Sequence, residues 1–257
     1  MTSIHAAFPA GGPSAGAIGT LVGINSPALT EMLSALGFDF LFLDLEHGGI
    51  GDADLLNHVY ASRIAQLARL RDGSETSIKR AADSGVAGIV VPHVRSGAMA
   101  EQIVVWAAYP PVGERSVGLA PNTLLGAELG AALAEPERPV VIAQIEDVDG
   151  VREIEEICRV PRLGGVFIGP FDLSASLGAV GDFAAEAFRA AIGRVVGAAH
   201  QANLRVGVFA PTAAAWRDFR AQGCDYAVLG ADSLFLADGA RRALGEANAM
   251  AKEYQTR

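Results

Sequence analysis

Lysine is nearly absent from this chain. Of its 20 Lys and Arg residues only Lys79 and Lys252 are lysines, leaving 18 arginines. Chemistry that needs an amine nucleophile is thereby limited to Lys79, within a predicted helix, and Lys252, near the C-terminus. Cysteine is as scarce: Cys158 and Cys224 make neither a disulfide framework nor a zinc spacing, and both fit a reducing cytosol. No Lys or Arg precedes Arg63, so the positive region of a secretory signal is missing. No apolar run approaches the roughly 18 residues of a membrane span. The net charge of −9 argues against a nucleic-acid or anionic-membrane surface, which would need basic clusters. No GxGxxG opens a helix after an early strand, which disfavours a doubly wound dinucleotide-binding sheet. There is no repeat, linker or low-complexity segment. A soluble, cytoplasmic protein of one domain is expected.

What is present is a large apolar fraction, 51% of 257 residues, enough to bury one barrel or two ordinary domains. Residues 1–15, with Pro9, Gly11, Gly12 and Pro13, read as a loose arm. Apolar runs predict strands over 16–24, 38–45, 64–70, 87–94, 139–146, 164–168, 204–209 and 225–229. Helical patterns fall over 26–36, 53–63, 74–83, 97–108, 126–134, 149–158, 184–202, 212–222 and 233–254, with Asp149 a candidate N-cap. Residues 112–125 read as a long loop with a short strand near Ser116 and Val117. Strand and helix alternate in roughly eight units over about 240 residues, the size of a single (β/α)8 TIM barrel.

The stretch 37–51, GFDFLFLDLEHGGIG, organises the rest. An apolar run interrupted by Asp39 and Asp44 ends in Glu46 and His47, followed by Gly48, Gly49 and Gly51. Such a run reads as a strand buried on both faces. Charged groups at its end would each cost several kcal/mol if buried without partners. A barrel carries its active site where the strands end. Those ends present Glu46, His47, Arg69, His93, Glu146 and Asp172, with Gln144 on the same strand face as Glu146. Carboxylates from different strands, without a Cys or His pair at ligand spacing, suit a hard divalent ion such as Mg²⁺ or Mn²⁺, with Co²⁺ a further option. His47 is the natural base and Arg69 the natural partner for a developing oxyanion. His58 and His200 fall in predicted helices and read as solvated or packed, and His93 is undecided.

Six segments together resemble the HpcH/HpaI class II pyruvate aldolases. They are GFDFLFLDLEHG (37–48), IVVPHV (89–94), YPPVGERSVG (109–118), QIED (144–147), FIGPFDLSASLG (167–178) and DYAVLGADSLFL (225–236). The resemblance runs from Gly19 to the last helix and implies a (β/α)8 barrel. It also implies that Glu146 and Asp172 hold the metal and that His47 accepts the proton. Asp83, in AADSG, would make that histidine more basic, and Arg69 would stabilise the oxyanion. Gln144 and the backbone N–H of Phe171 would contact a 2-oxo acid. Three departures stand out. Leu70-Arg71-Asp72-Gly73 replaces a Pro-Trp-Asn-Asp type segment, which makes Arg71 a rival for Arg69. Phe171 replaces a residue that is often small, narrowing the donor pocket. LAPNTLLG follows Gly118 where the family carries a basic segment, which leaves the acceptor open.

The implied reaction is reversible aldol cleavage of 4-hydroxy-2-oxo acids to pyruvate or hydroxypyruvate and an aldehyde, through a metal-stabilised enolate. A homohexamer whose last helix packs on a neighbour is the implied assembly. A coenzyme A thioester lyase on the same barrel is the nearest alternative, although this acidic chain offers few basic residues for the phosphates. A keto-acid-binding barrel without catalysis would have no need of His47 and Arg69.

Overall fold

A computed structural model of the chain describes residues 12–136 and 138–255. Eight parallel strands close into one barrel in sequence order: β1 (Ile18–Val22), β2 (Phe40–Asp44), β3 (Gln66–Arg69), β4 (Gly88–Val91), β5 (Val140–Ile145), β6 (Gly165–Ile168), β7 (Arg205–Ala210) and β8 (Tyr226–Ala231). The surrounding helices are α1 (Pro27–Ser34), α2 (Leu55–Ala61), α3 (Glu75–Ser84), α4 (Gly97–Ala107), α5 (Leu129–Ala134), α6 (Val148–Arg152), α7 (Ile154–Cys158), α8 (Pro170–Ser176), α9 (Glu186–Gln201), α10 (Ala213–Ala221) and α11 (Asp232–Gln255). The expected TIM barrel is what the chain forms. Among the described residues no helix is long and apolar enough to cross a membrane.

Strands buried on both faces give two apolar layers. Inside the barrel, Phe40, Phe42, Leu67, Val90, Ile142, Phe167, Tyr226 and Val228 fill the lumen, and the Phe42 and Phe167 rings stack with centroids 5.1 Å apart. Outside it, Leu41, Leu43, Ile89, Val91, Val166 and Val208 meet the helices. Strand periodicity therefore sends alternate residues into the lumen, and that alternation aims the last inward residues at the mouth. Several helices start on a side-chain cap: Ser26, Ser74, Ser96 and Thr212 accept from the backbone N–H of Leu29, Ser77, Met99 and Ala215. Each such cap contributes about 1 kcal/mol.

Several local expectations are corrected. The helix over 149–158 is two pieces, α6 and α7, and its cap is Asp147, whose Oδ1 accepts from Gly150 N at 2.8 Å, not Asp149. Ser116 and Val117 form no strand. The following helix starts at Leu129 and not at 126, because Leu124 and Leu125 take left-handed φ values of 47° and 54° that end a helix rather than begin one. α8, a helix absent from the sequence reading, follows β6 directly. Residues 1–11 of the expected arm lie outside the described residues. Gly12 and Pro13 are buried, and Arg205 at the start of β7 donates to the Pro13 carbonyl at 2.9 Å.

Candidate active site

The C-terminal ends of β2 to β5 place a compact set of charged side chains in the mouth. Asp44 and Arg69 are aligned across the β2–β3 pair and share the inward face. Asp44 grips the guanidinium with two bonds, Arg69 Nε to Oδ1 at 2.9 Å and Nη2 to Oδ2 at 2.7 Å. Its Oδ1 also accepts from the backbone N–H of Glu46 and His47. One carboxylate thus fixes both the arginine and the turn that carries the next two site residues. The remaining nitrogen of the fork, Arg69 Nη1, lies 3.1 Å from Glu46 Oε2. Burial works against the Arg69 charge, but the Asp44 pair and the nearby Glu46 and Glu146 outweigh it and hold its pKa above the ordinary value.

Glu146 follows β5 and is buried. His93 meets it twice, through its backbone N–H at 2.6 Å and its Nδ1 at 2.9 Å from Oε1. His93 adopts a left-handed φ of 56°, a strained conformation that costs a non-glycine residue about 1–3 kcal/mol and tends to persist at functional sites. Its Nε2 lies 3.5 Å from Glu46 Oε1. Ligand atoms of Glu46, His93 and Glu146 all fall within 4.8 Å of one another, a grouping that could hold a metal ion. Gln144 donates to Glu146 Oε2 at 2.5 Å. Gly169, just past β6, admits this arrangement: a Cβ there would stand 2.9 Å from Glu146 Oε2.

Charge in this pocket is unbalanced. Asp44, Glu46 and Glu146 bring three carboxylates against one guanidinium, all of them largely shielded from solvent. Burial pushes the Glu46 carboxyl above its ordinary pKa; Arg69 opposes this and Glu146 adds to it. Glu46 Oε2 and Gln144 Oε1 are buried without a hydrogen-bond partner among the described residues. A buried cluster with surplus negative charge is a donor set that a hard divalent cation would balance.

Not every expected residue joins this group. His47 stands at the rim, 66% exposed, with Nε2 3.9 Å from Glu46 Oε2. Asp172 is exposed in the first turn of α8 and Phe171 beside it is 43% exposed; Asp172 is outside the three-residue group. Arg71 faces away, into an outer cleft of about 380 Å³ shared with Leu55, Leu56, Arg80 and Asp83. Asp83 is not brought to His47 within this chain. It sits in the last turn of α3, which runs back toward the start of β4, and its Oδ1 pairs with the buried Arg115 at 3.0 Å. A residue there lies at the other end of the barrel from the mouth. His58 is buried between Thr30 and Asn25, as expected of a packed histidine, and burial lowers its pKa. Residue spacing marks Asp44 and Glu46 only as strand-end residues and leaves His93 undecided; the pairing register and the φ of His93 give them their place.

The chain is similar to known proteins over most of its length. The HpcH/HpaI aldolase/citrate lyase family model matches residues 18–238. A hydroxypyruvate/pyruvate aldolase of Paraburkholderia phytofirmans is 30% identical over 238 residues, covering 89% of this chain and 92% of that protein. A 5-keto-4-deoxy-D-glucarate aldolase of Klebsiella pneumoniae is 31% identical over 219 residues, covering 84% and 86%. The crystal structure of an HpcH/HpaI aldolase/citrate lyase family protein from Burkholderia cenocepacia superposes with a TM-score of 0.86 at 29% identity, covering 92% of this chain and 96% of that one. The chain belongs to the HpcH/HpaI aldolase/citrate lyase family and is a carbon–carbon lyase of the aldolase kind.

Proposed function

We propose that this protein is a class II aldolase that reversibly cleaves 4-hydroxy-2-oxo acids to pyruvate or hydroxypyruvate and an aldehyde. The observation that carries the reading is the charge imbalance at the mouth: three shielded carboxylates face one guanidinium. Glu146 is the principal ligand for Mg²⁺ or Mn²⁺. Its co-ligands come either from Asp172, as the family resemblance implies, or from Glu46 and His93, which are already grouped with it. A divalent ion held there supplies Lewis-acid polarisation of a 2-oxo acid carbonyl.

The chain's own groups do the rest. Arg69, locked by Asp44, turns Nη1 toward the pocket and stabilises negative charge developing on the 2-oxo oxygen. Because Asp44 fixes that geometry in advance, little reorganisation is needed when charge appears. His47, at the rim, takes the C3 proton directly or through water. Gln144 orients the Glu146 carboxylate and, with the backbone N–H of Phe171, contacts the oxo acid. Asp83 raises the basicity of His47 only where a second copy of the chain brings it there. A homo-oligomer, a hexamer by resemblance, would also cover the exposed Leu234, Phe235, Leu236, Leu244 and Met250 of α11.

The test is cleavage of 4-hydroxy-2-oxopentanoate, with released pyruvate followed by coupled reduction. Wild type should be active with Mn²⁺ and inactive after chelation. Glu146→Gln should lose both activity and Mn²⁺ binding. Asp172→Asn and His93→Ala, compared by Mn²⁺ affinity, separate the two co-ligand sets. Full activity in metal-free protein would sink the proposal.

A further inference from the structure

The mouth has two unlike halves. Most charged and hydrogen-bonding groups come from β2 to β5, whereas β6, β7 and β1, Asp172 apart, contribute mainly carbon. Phe209, next to last in β7, and Leu21, next to last in β1, are only partly buried and pack on the lumen cluster from above. Phe171, in the first turn of α8, extends this surface: its ring lies 6.2 Å from that of Phe209 and 5.2 Å from Phe183, yet stays 43% exposed. An aromatic ring held by two others and still open to solvent at a strand end is a wall waiting for an apolar contact.

The same half is free of cations. No Lys or Arg occurs between Arg162 and Arg189, between Arg205 and Arg217, between Arg220 and Arg241, or before Arg63. The ends of β6, β7, β8 and β1 therefore offer no positive side chain. They do offer Asp172 and Asp232, the latter accepting from Gly23 N and Ile24 N. The neighbouring arginines are committed elsewhere: Arg95 pairs with Asp147 at 2.5 Å, Arg69 with Asp44, and Arg71 lines the outer cleft. A carboxylate or phosphate on an incoming aldehyde would meet anions and carbon there, at a cost that grows with its burial.

Resting on the aldolase reading, we propose that Phe171, Phe209 and Leu21 form the acceptor side of the site and select aldehydes with an uncharged, apolar substituent. The oxo acid occupies the charged half and reaches the backbone N–H of Phe171, the aldehyde carbonyl meets it at the centre, and the aldehyde substituent lies against the three side chains. Selection is double, by apolar contact and by the missing counter-charge for an anionic tail.

The test compares two four-carbon acceptors, butanal and 4-oxobutanoate, with pyruvate as donor and Mn²⁺ present. Wild type should favour butanal in kcat/KM by at least about tenfold. Phe171→Lys and, separately, Leu21→Lys place a cation in the apolar half and should shift that ratio toward 4-oxobutanoate by about tenfold or more. The ratio is taken within each variant, so a general loss of activity cancels. Wild-type preference for 4-oxobutanoate, or a ratio unmoved in both variants, overturns the inference. Solvent deuterium exchange into pyruvate without any aldehyde is run alongside. Exchange together with the wrong acceptor preference defeats this inference alone, whereas no exchange and no addition defeats the aldolase reading beneath it.

Discussion

The role proposed for Arg69 depends on Asp44 holding it. A guanidinium offers five donors, and the bidentate grip uses Nε and Nη2, while Nη1 lies 3.1 Å from Glu46 Oε2 on the pocket side. Arg69→Ala should therefore lower kcat by about 100-fold or more, the loss typical of an oxyanion donor. Arg71→Ala, on the outer cleft, should stay within about threefold of wild type. Steady-state kinetics on the two variants decides it, and the reverse ranking would mean that the oxyanion partner has been misassigned by two positions. Asp44→Asn keeps the shape but loses the charge and the second strong acceptor, so its defect should fall in kcat more than in KM. The sequence displayed Asp44, Glu46, His47, Arg69 and Glu146 as strand-end residues. It did not display which of them touch. The Asp44–Arg69 contact depends on the β2–β3 register, and the place of His93 depends on one backbone angle; neither is written in residue spacing.

At the scale of elements, the eight strands were legible because burial on both faces leaves continuous apolar runs, and the capped helices because Ser26, Ser74, Ser96 and Thr212 announce their own starts. Short elements were not. α8 has seven residues, with Pro170 at its first position and too few turns to show a period. Asp147 and Asp149 are equally good caps on paper, and only the bond to Gly150 N separates them. Asp83 shows the opposite limit: its motif was visible, but the direction of α3 carries it away from the mouth of its own barrel. Lumen packing makes a separate prediction. Gly207 on β7 faces the Tyr226 ring, where a Cβ would stand 2.3 Å from ring carbons. Gly207→Ala should destabilise the fold by about 1–3 kcal/mol, read as a lower urea midpoint with unchanged slope. A midpoint equal to wild type would show that the ring can shift at no cost.

Over the whole molecule, the mouth is where shielded carboxylates concentrate, and a cation bound there would balance them. The two thiols report on the integrity of the fold around it. Burial pushes both Cys158 and Cys224 up to about 12. At pH 8 the native protein should not react with a disulfide reagent, while the unfolded chain should titrate both. In the unfolded chain they ionise at about 8.5, so the unfolded state releases these protons first. The stability they contribute is complete below that pH and is lost as the pH rises toward 12. Fast labelling of native protein at pH 8 would contradict their burial. The proposed reaction turns on a proton of the substrate. Wild-type protein with Mn²⁺ and pyruvate in D₂O, with no aldehyde present, should exchange the C3 protons, measured by proton NMR. His47→Ala should slow that exchange by about 10²-fold or more, chelation or Glu146→Gln should stop it, and borohydride should trap no adduct on Lys79. Exchange that persists in metal-free protein, or no exchange by wild type under any divalent metal, would contradict the account.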